Sequence, residues 1–412
     1  MTDSLRVLHT SDWHLGCTLY GRKRYDEFAA FLDWLCSVVE EQRIDLLLIA
    51  GDIFDTTTPS NRAQEQYYQF LCRMAALRKQ VIITAGNHDS PSFLLAPSQL
   101  LKVLNIHVVG SATDNPDDEL IVVKDAQGLP ALIVMAVPYL RDRDLRLAEA
   151  GEHFEDKDAS MRQGLREHYA RVRSRALAKR AELGHDIPIL AMGHLFTSGG
   201  QTTDGDGVRE LYVGNLAQIS AEVFGEDLSY VALGHLHMPQ MVQQIPTIRY
   251  SGAPLAMGFG EAGRQKSMML LTFAGCELSY KTLAVPCWQP LQALSGDLEQ
   301  ITRALQDLVA CGSRAWLEIT YTGSKLIGNL HEQILALTEG SSVEVLRIKN
   351  ERLLQRYLTS GQAGERLENL SVDEVFARCL KEHEIPEEQQ KPLIEAFIEI
   401  RRELDEKDRK AE

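Results

Sequence analysis

Apolar runs of strand length alternate with amphipathic stretches of helix length through the first half of this 412-residue chain, and several of the runs end in a short polar segment built from Asp, Asn, Gly and His. Residues 6–9 read as a strand, 26–41 as an amphipathic helix, 45–50 as a buried strand, 61–77 as a helix and 81–84 as another strand. Such alternation defines α/β architecture. An apolar run at 131–137, a charged helix over about 160–183 and a strand at 187–192 follow. Five short β segments then crowd together, at 230–233, 241–244, 248–251, 268–273 and 278–283. They are expected to form a second, more antiparallel sheet packed on the first.

The pattern breaks at Val285-Pro286-Cys287-Trp288-Gln289-Pro290, where two prolines and a change of period mark a domain boundary. Residues 1–287 are therefore expected to form the catalytic domain, and 288–349 a small α+β domain with helices at 297–309 and 326–337. Residues 350–412 read as a polar linker and two helical stretches, whose apolar residues (Val372, Val375, Phe376, Leu380; Leu393, Phe397, Ile398, Leu404) face one way. Two helices alone bury little surface, so this tail is expected to dock on a partner protein. No apolar run nears the roughly 20 residues that span a bilayer. The first residues lack a basic stretch followed by a long apolar one, so a cytoplasmic protein without membrane contact is expected. Seven cysteines with no Cys-x-x-Cys pair point to neither a disulfide framework nor a thiolate zinc site. A net charge of −15 argues against simple clamping of a nucleic-acid backbone. Bound divalent cations would neutralise carboxylates locally, however, so global charge leaves the substrate open.

Five segments carry the chemistry: Asp12-Trp13-His14, Gly51-Asp52-Ile53-Phe54-Asp55, Gly86-Asn87-His88-Asp89, Gly193-His194 and Gly234-His235-Leu236-His237. Asp12 and His14 alternate by two, so in extended chain both point to one side and can grip one ion. Asp52 is the first carboxylate after a buried strand and the natural bridge between two ions. Asn87 offers a neutral oxygen that holds a cation without repelling an incoming phosphate. His235 and His237 can divide between the ions, and His194 completes the second. Oxygen and imidazole donors without thiolates favour two divalent ions of manganese, iron or magnesium. The glycines ahead of Asp52, Asn87, His194 and His235 let backbone approach the ions closely. Singly, each segment reads as an ordinary turn or cap; their conjunction supplies a complete ligand set.

The order and form of these segments resemble the calcineurin-like metallophosphoesterase superfamily. His9-Thr10-Ser11-Asp12-Trp13-His14-Leu15-Gly16 and Gly51 to Thr56 are especially similar to the bacterial SbcD family of nuclease subunits. The likeness extends to Val137-Pro138-Tyr139-Leu140-Arg141, Tyr250-Ser251-Gly252-Ala253-Pro254 and Leu370 to Phe376, and so covers essentially the whole chain. It implies a two-sheet metallophosphoesterase sandwich flanked by helices, a small α+β cap that helps bind DNA, and a helical tail. It also implies manganese-dependent, ATP-linked exonuclease action on duplex DNA ends, and endonuclease action on single strands and hairpins. The implied partners are DNA and the SMC-like ATPase SbcC, in a heterotetramer containing a homodimer of the nuclease. Carried over by position, Asp12, His14, Asp52 and His237 would hold the first ion, and Asp52, Asn87, His194 and His235 the second. His88 would protonate the leaving oxygen, with Asp55 hydrogen-bonded to it. The sequence departs from the pattern at Asp55, where archaeal and eukaryotic relatives often carry a histidine. It departs again at Gly258-Phe259-Gly260-Glu261, which lacks the serine common in the bacterial family.

Weaker signals remain two-sided. Arg22-Lys23-Arg24, Arg141 and Arg143 are candidates for phosphate contacts or for solvated basic loops. The segment 198–207 reads as a loop near the site. Phe28, Phe31, Leu32, Tyr67, Tyr68, Phe70 and Leu71 are expected to be mostly core, with a share exposed for self-association. No Gly-x-x-x-x-Gly-Lys-Ser/Thr segment exists, so any ATP dependence must come from a partner. Two other functions fit the same residues: a phosphatase or cyclic-nucleotide phosphodiesterase for small esters, and a catalytically silent DNA scaffold.

Overall fold

In the strand Leu46–Ala50 all five residues are buried and divide by parity. Leu46, Leu48 and Ala50 enter one apolar layer, while Leu47 and Ile49 enter another. A strand buried on both faces needs partners on both, and that requirement builds the molecule. The computed structural model describes residues 4–145, 154–184, 186–201, 219–324, 327, 329–350 and 397.

In chain order the first part holds β1 (Leu5–Thr10), the short arms β2 (Thr18–Leu19) and β3 (Arg22–Lys23), α1 (Tyr25–Glu41), β4 (Leu46–Ala50), α2 (Asn61–Ala76) and β5 (Gln80–Thr84). Next come α3 (Pro91–Leu95), α4 (Ser98–Val103), β6 (Ile106–Val109), β7 (Leu120–Lys124), β8 (Pro130–Ala136), α5 (Asp142–Leu145), α6 (Phe154–Leu183) and β9 (Ile189–His194). Then follow β10 (Tyr230–Gly234), β11 (Gln240–Val242), β12 (Ile245–Tyr250), β13 (Ser267–Ala274) and β14 (Glu277–Ala284). A small lobe closes the described chain with β15 (Leu291–Gly296), α7 (Leu298–Ala310), β16 (Trp316–Tyr321), α8 (Leu330–Thr338) and β17 (Glu344–Asn350).

One sheet has the order β14-β13-β1-β4-β5-β6 and the other β11-β12-β10-β9-β8-β7. Their facing sides share a layer of Val7, Leu48, Ile82, Val134, Leu190, Ala232 and Leu271, among others. The outer face of the first sheet is covered by α1 and α2, through Phe28, Phe31, Leu35, Tyr67 and Phe70. The outer face of the second is covered by α6, whose Leu165, Tyr169, Val172 and Ala176 recur at helical spacing. Each large aliphatic or Phe side chain among them contributes about 1.5–3 kcal/mol by leaving water.

Two expectations are corrected. The second sheet is not the more antiparallel one: β8, β9, β10 and β12 pair in parallel, and only its edge strands β7 and β11 run antiparallel. Residues 268–273 and 278–283, expected there, lie in β13 and β14 of the first sheet, where β13 pairs antiparallel with β1 (Leu5 opposite Phe273). β13 is almost wholly buried and takes the free edge of β1, a choice that no local pattern encodes. The aromatic residues of α1 and α2 are core, with Tyr68 partly exposed. The exposed apolar side chains instead include Leu100, Val103 and Leu104 at α4. In the small lobe α7 starts at a reciprocal cap, in which Asp297 accepts from Gln300 N and the Gln300 side chain accepts from Asp297 N. The expected partner-binding tail, apart from Asn350 and Phe397, lies outside the described residues, as does the 202–207 part of the expected loop.

Candidate metal centre

β1, β4 and β5 are mutually parallel, as are β9 and β10, so the carboxyl ends of each set open on one side. Asp12, Asp52 and Asn87 follow the first three strands, His194 ends β9, and His235 follows β10. Ligands commonly gather at such strand ends. The close approach has a backbone reason. A Cβ on Gly51 would strike the His194 ring, and one on Gly86 would strike the Asp52 carboxylate. Asp12 (φ 54°), His14 (φ 49°), Asp52 (φ 50°) and His235 (φ 105°) all adopt left-handed backbone. That strain costs roughly 1–3 kcal/mol per residue and is held only where surrounding structure over-determines it. Asp12 N donates to Gly51 O at 3.0 Å and His14 N to Asp52 O at 3.0 Å, which lock the two loops together.

The seven expected ligands converge. His14 Nε2 and His237 Nε2 are 3.1 Å apart, and ligand atoms of Asp12, His14 and His237 all lie within 4.8 Å of one another. On the other side Asn87 Oδ1 is 3.0 Å from both His194 Nε2 and His235 Nδ1. Asp52 Oδ2 sits between the halves, 3.6 Å from His14 Nε2 and 3.2 Å from His194 Nε2. Asp12, Asp52, His14, His194 and His237 form a buried floor; Asn87, His88, His235 and Asp55 are partly exposed at its mouth.

These residues fit a pair of divalent cations. Two nitrogens at right angles on an ion at about 2.1 Å would be about 3.0 Å apart, close to the His14–His237 separation. The His194 Nδ1–H donates to Ala50 O at 3.0 Å, leaving the Nε2 lone pair for ligation. The two neighbouring carboxylates cannot share the pocket comfortably without positive charge. Burial raises the pKa of Asp12 despite His194 beside it. At Asp52 burial acts the same way, but His194, His14 and His88 outweigh it and hold the carboxyl far below its usual range. Burial lowers His194, yet Asp52 and Asp12 more than reverse this and raise it to about 9. His235 is lowered to about 3 by burial and by His194.

His88 N donates to Asp52 Oδ1 at 2.8 Å, and the His88 Nδ1–H donates to the main-chain carbonyl of Asp55 at 2.7 Å. The Asp55 carboxylate itself lies 3.5 Å from His14 Nδ1, the usual place of a carboxylate that orients a ligand imidazole. Thus Asp55 meets His88 through its backbone.

Sequence reading missed the residues that brace the expected ligands. Asp89, fully buried, accepts from Ile53 N (3.2 Å), Phe54 N (3.0 Å) and Gly86 N (2.8 Å), tying the Asp52 loop to the Asn87 loop. Its place right after His88 was the available signal. Ser11 donates to Asp12 Oδ2 at 2.6 Å and meets Ser251 at 2.8 Å, which gives the Tyr250-Ser251-Gly252 segment its task. The basic candidates are largely engaged. Arg24 is buried against Glu27 and the Ala256 carbonyl, Arg22 pairs with Glu344, Arg141 donates to Asp89 O at 3.0 Å, and Arg143 pairs with Asp144. Arg24 is therefore neither a phosphate contact nor a solvated residue.

Residues 5–239 match the family model described as calcineurin-like phosphoesterase, and 287–384 match one described as a type 5 capsule protein repressor C-terminal domain, SbcD_C. The chain is thus a calcineurin-like phosphoesterase. It is 35% identical over 396 residues to the SbcD subunit of the SbcCD nuclease of Escherichia coli K12, covering 95% of this chain and 97% of that protein. It is 31% identical over 421 residues to the corresponding SbcD protein of Bacillus subtilis, covering 98% and 100%. A solved dimetal phosphatase from Danio rerio aligns over 68% of this chain and 99% of its own, with 13% identity and a TM-score of 0.36. The chain belongs to the SbcD family, and the expected class, a metal-dependent nuclease, is met. Among the described residues no helix is long and apolar enough to cross a membrane.

Proposed function

We propose that this chain is a dinuclear DNA phosphodiesterase, the nuclease subunit of a complex with an SbcC-type SMC ATPase, cutting duplex ends exonucleolytically and hairpins and single strands endonucleolytically. Asp12, His14, Asp52 and His237 hold one ion, and Asp52, Asn87, His194 and His235 the other, with manganese the preferred metal. When bound, the two cations stabilise the charge that develops on a phosphodiester and activate the attacking water. His88 donates a proton to the leaving oxygen. The Asp55 carbonyl accepts the Nδ1 proton of the His88 ring, so Nε2 is the atom that addresses the substrate, and the proton given to the leaving oxygen is a second one carried on Nε2. The carboxylate of Asp55 orients His14.

One observation carries this reading: His88 is tied by main chain to Asp52 and by ring to Asp55, beside two converging ligand sets. The reading is supported by the relatives, whose name makes them subunits of the SbcCD nuclease. This chain carries the phosphoesterase domain at 1–287, the cap at 288–349 and the partner-binding segment at 350–412, and it works in the cytoplasm as a homodimer within a heterotetramer. Leu100, Val103 and Leu104 offer apolar surface for that pairing.

The test is manganese-dependent cleavage of a DNA hairpin and of a small phosphodiester, with and without the ATPase, for wild type and His88→Ala. Wild type should cut the hairpin. The variant should lose about 10²–10⁴ in kcat and keep both ions, because Asp52 is held by a main-chain N–H that alanine retains. Cleavage of the small ester alone would favour the phosphatase reading. Unchanged hairpin cutting by the variant would remove His88 from the mechanism.

A further inference from the structure

Directly behind His237 lies a buried ion pair that the reaction does not use. Lys266 Nζ is 2.9 Å from Glu261 Oε2, and both residues are buried. An ion pair taken out of water gains little net stability, so its position rather than its energy calls for an explanation. Lys266 also donates to the His237 carbonyl at 2.9 Å, a carbonyl that accepts Ala253 N as well at 3.1 Å. Glu261 in turn accepts Met257 N at 2.6 Å. The loop before Glu261 is gripped from its other side, where Arg24 donates to Ala256 O at 2.8 Å.

The same loop turn touches the small lobe. Phe259, two residues before Glu261, packs with Leu19, Leu291, Trp316 and Leu346. Its ring stacks on Tyr20 at 5.8 Å. The Tyr20 hydroxyl accepts from Arg347 at 2.7 Å, and Arg347 and Lys349 pair with Glu318 of the neighbouring strand. A continuous chain of contacts therefore runs from the lobe through Phe259, Glu261 and Lys266 to the main chain of a ligand.

We propose that Glu261 and Lys266 are positioning residues: they hold the His237 backbone at ion-binding geometry and make the affinity of the ion shared by His14 and His237 depend on how the lobe seats on Phe259. This rests on the reading of His237 as a ligand. The contacts named above all lead to His237 and none of them is made by Asn87, His194 or His235 of the other half-site.

The experiment titrates the full-length chain with manganese and counts free ion by electron paramagnetic resonance. Wild type should bind two ions. The paired variant Glu261→Gln with Lys266→Met removes both charges together, which preserves folding better than deleting one. It should keep one ion at wild-type affinity and bind the other about 10- to 100-fold more weakly. Lys266→Arg, which retains the donor, should recover part of the loss, and Phe259→Ala should weaken the same ion by a smaller factor. In a His14→Ala background, already lacking that ion, the paired variant should change nothing further. Equal weakening of both ions, no weakening of either, or further loss in the His14→Ala background would each overturn the proposal. An unaltered titration for Phe259→Ala would overturn its link to the lobe. A wild-type chain that binds fewer than two ions would sink the metal-centre reading itself, a distinguishable result.

Discussion

His168 Nε2 lies 2.8 Å from Glu119 Oε2 beneath α6, a histidine–carboxylate contact as buried as those of the metal centre, but the two places are built differently. Arg171 reaches His168 Nδ1 at 3.2 Å, and a guanidinium only donates, so the ring carries its proton on Nε2 and gives it to Glu119. Every ring nitrogen is used, and neither residue adopts left-handed backbone. At the metal centre ring nitrogens face one another across 3.1 Å, and four of the residues sit in strained backbone. Composition alone does not distinguish a structural pair from a ligand set. Converging lone pairs and retained strain do.

Three experiments press on that contrast, from the largest effect on the metal centre to none. Asp52→Ala removes the oxygen between the two halves. Manganese binding should fall at both sites and hairpin cleavage by about 10³-fold, equivalent to a few kcal/mol of lost charge stabilisation. Two ions retained in a binding titration would show that Asp52 is no bridge.

Proton linkage should follow next in size. His194, raised from 6.5 to about 9 in the ion-free chain, is protonated below that value, and a cation must displace the proton. Manganese affinity should therefore rise about tenfold per pH unit toward pH 9 and then level off. Calorimetry in buffers of different ionisation enthalpy would count the proton released. Without metal the sign is opposite: the stabilisation from the raised His194 is fully present below pH 6.5 and is lost as pH climbs through about 9. A flat affinity profile would contradict this account.

The smallest effect belongs to the structural pair. His168→Leu leaves Glu119 buried without its donor and should cost about 3–5 kcal/mol in denaturant unfolding. Both manganese affinities should stay as in wild type. A changed affinity would mean that the two clusters communicate.

Much of the fold could be read locally. Residues 26–41 and 61–77 carry a helical apolar period and form α1 and α2, and residues 45–50 carry a doubly buried run and form β4. The short strands β6 and β7 went unread, because four or five residues between turns carry too little periodic signal. Pairing was harder still. β13 and β14 were legible as strands, but the place of β13 beside β1, with β14 outside it, depends on an edge left open more than 250 residues earlier in the chain.

For the centre, sequence determined the donor types, their order and their position at strand ends, since Asp, Asn, His and their glycines are properties of single residues and their neighbours. Asp52 was legible as the carboxylate between two halves, but tertiary structure alone decided that Asp55 turns its carboxylate to His14 and its carbonyl to His88, and that Asp89, Ser251, Glu261 and Lys266 brace the expected ligands. The physical reason is range: a side chain's chemistry is carried by its own residue, whereas the atom it faces is set by packing between segments that meet only in the folded chain.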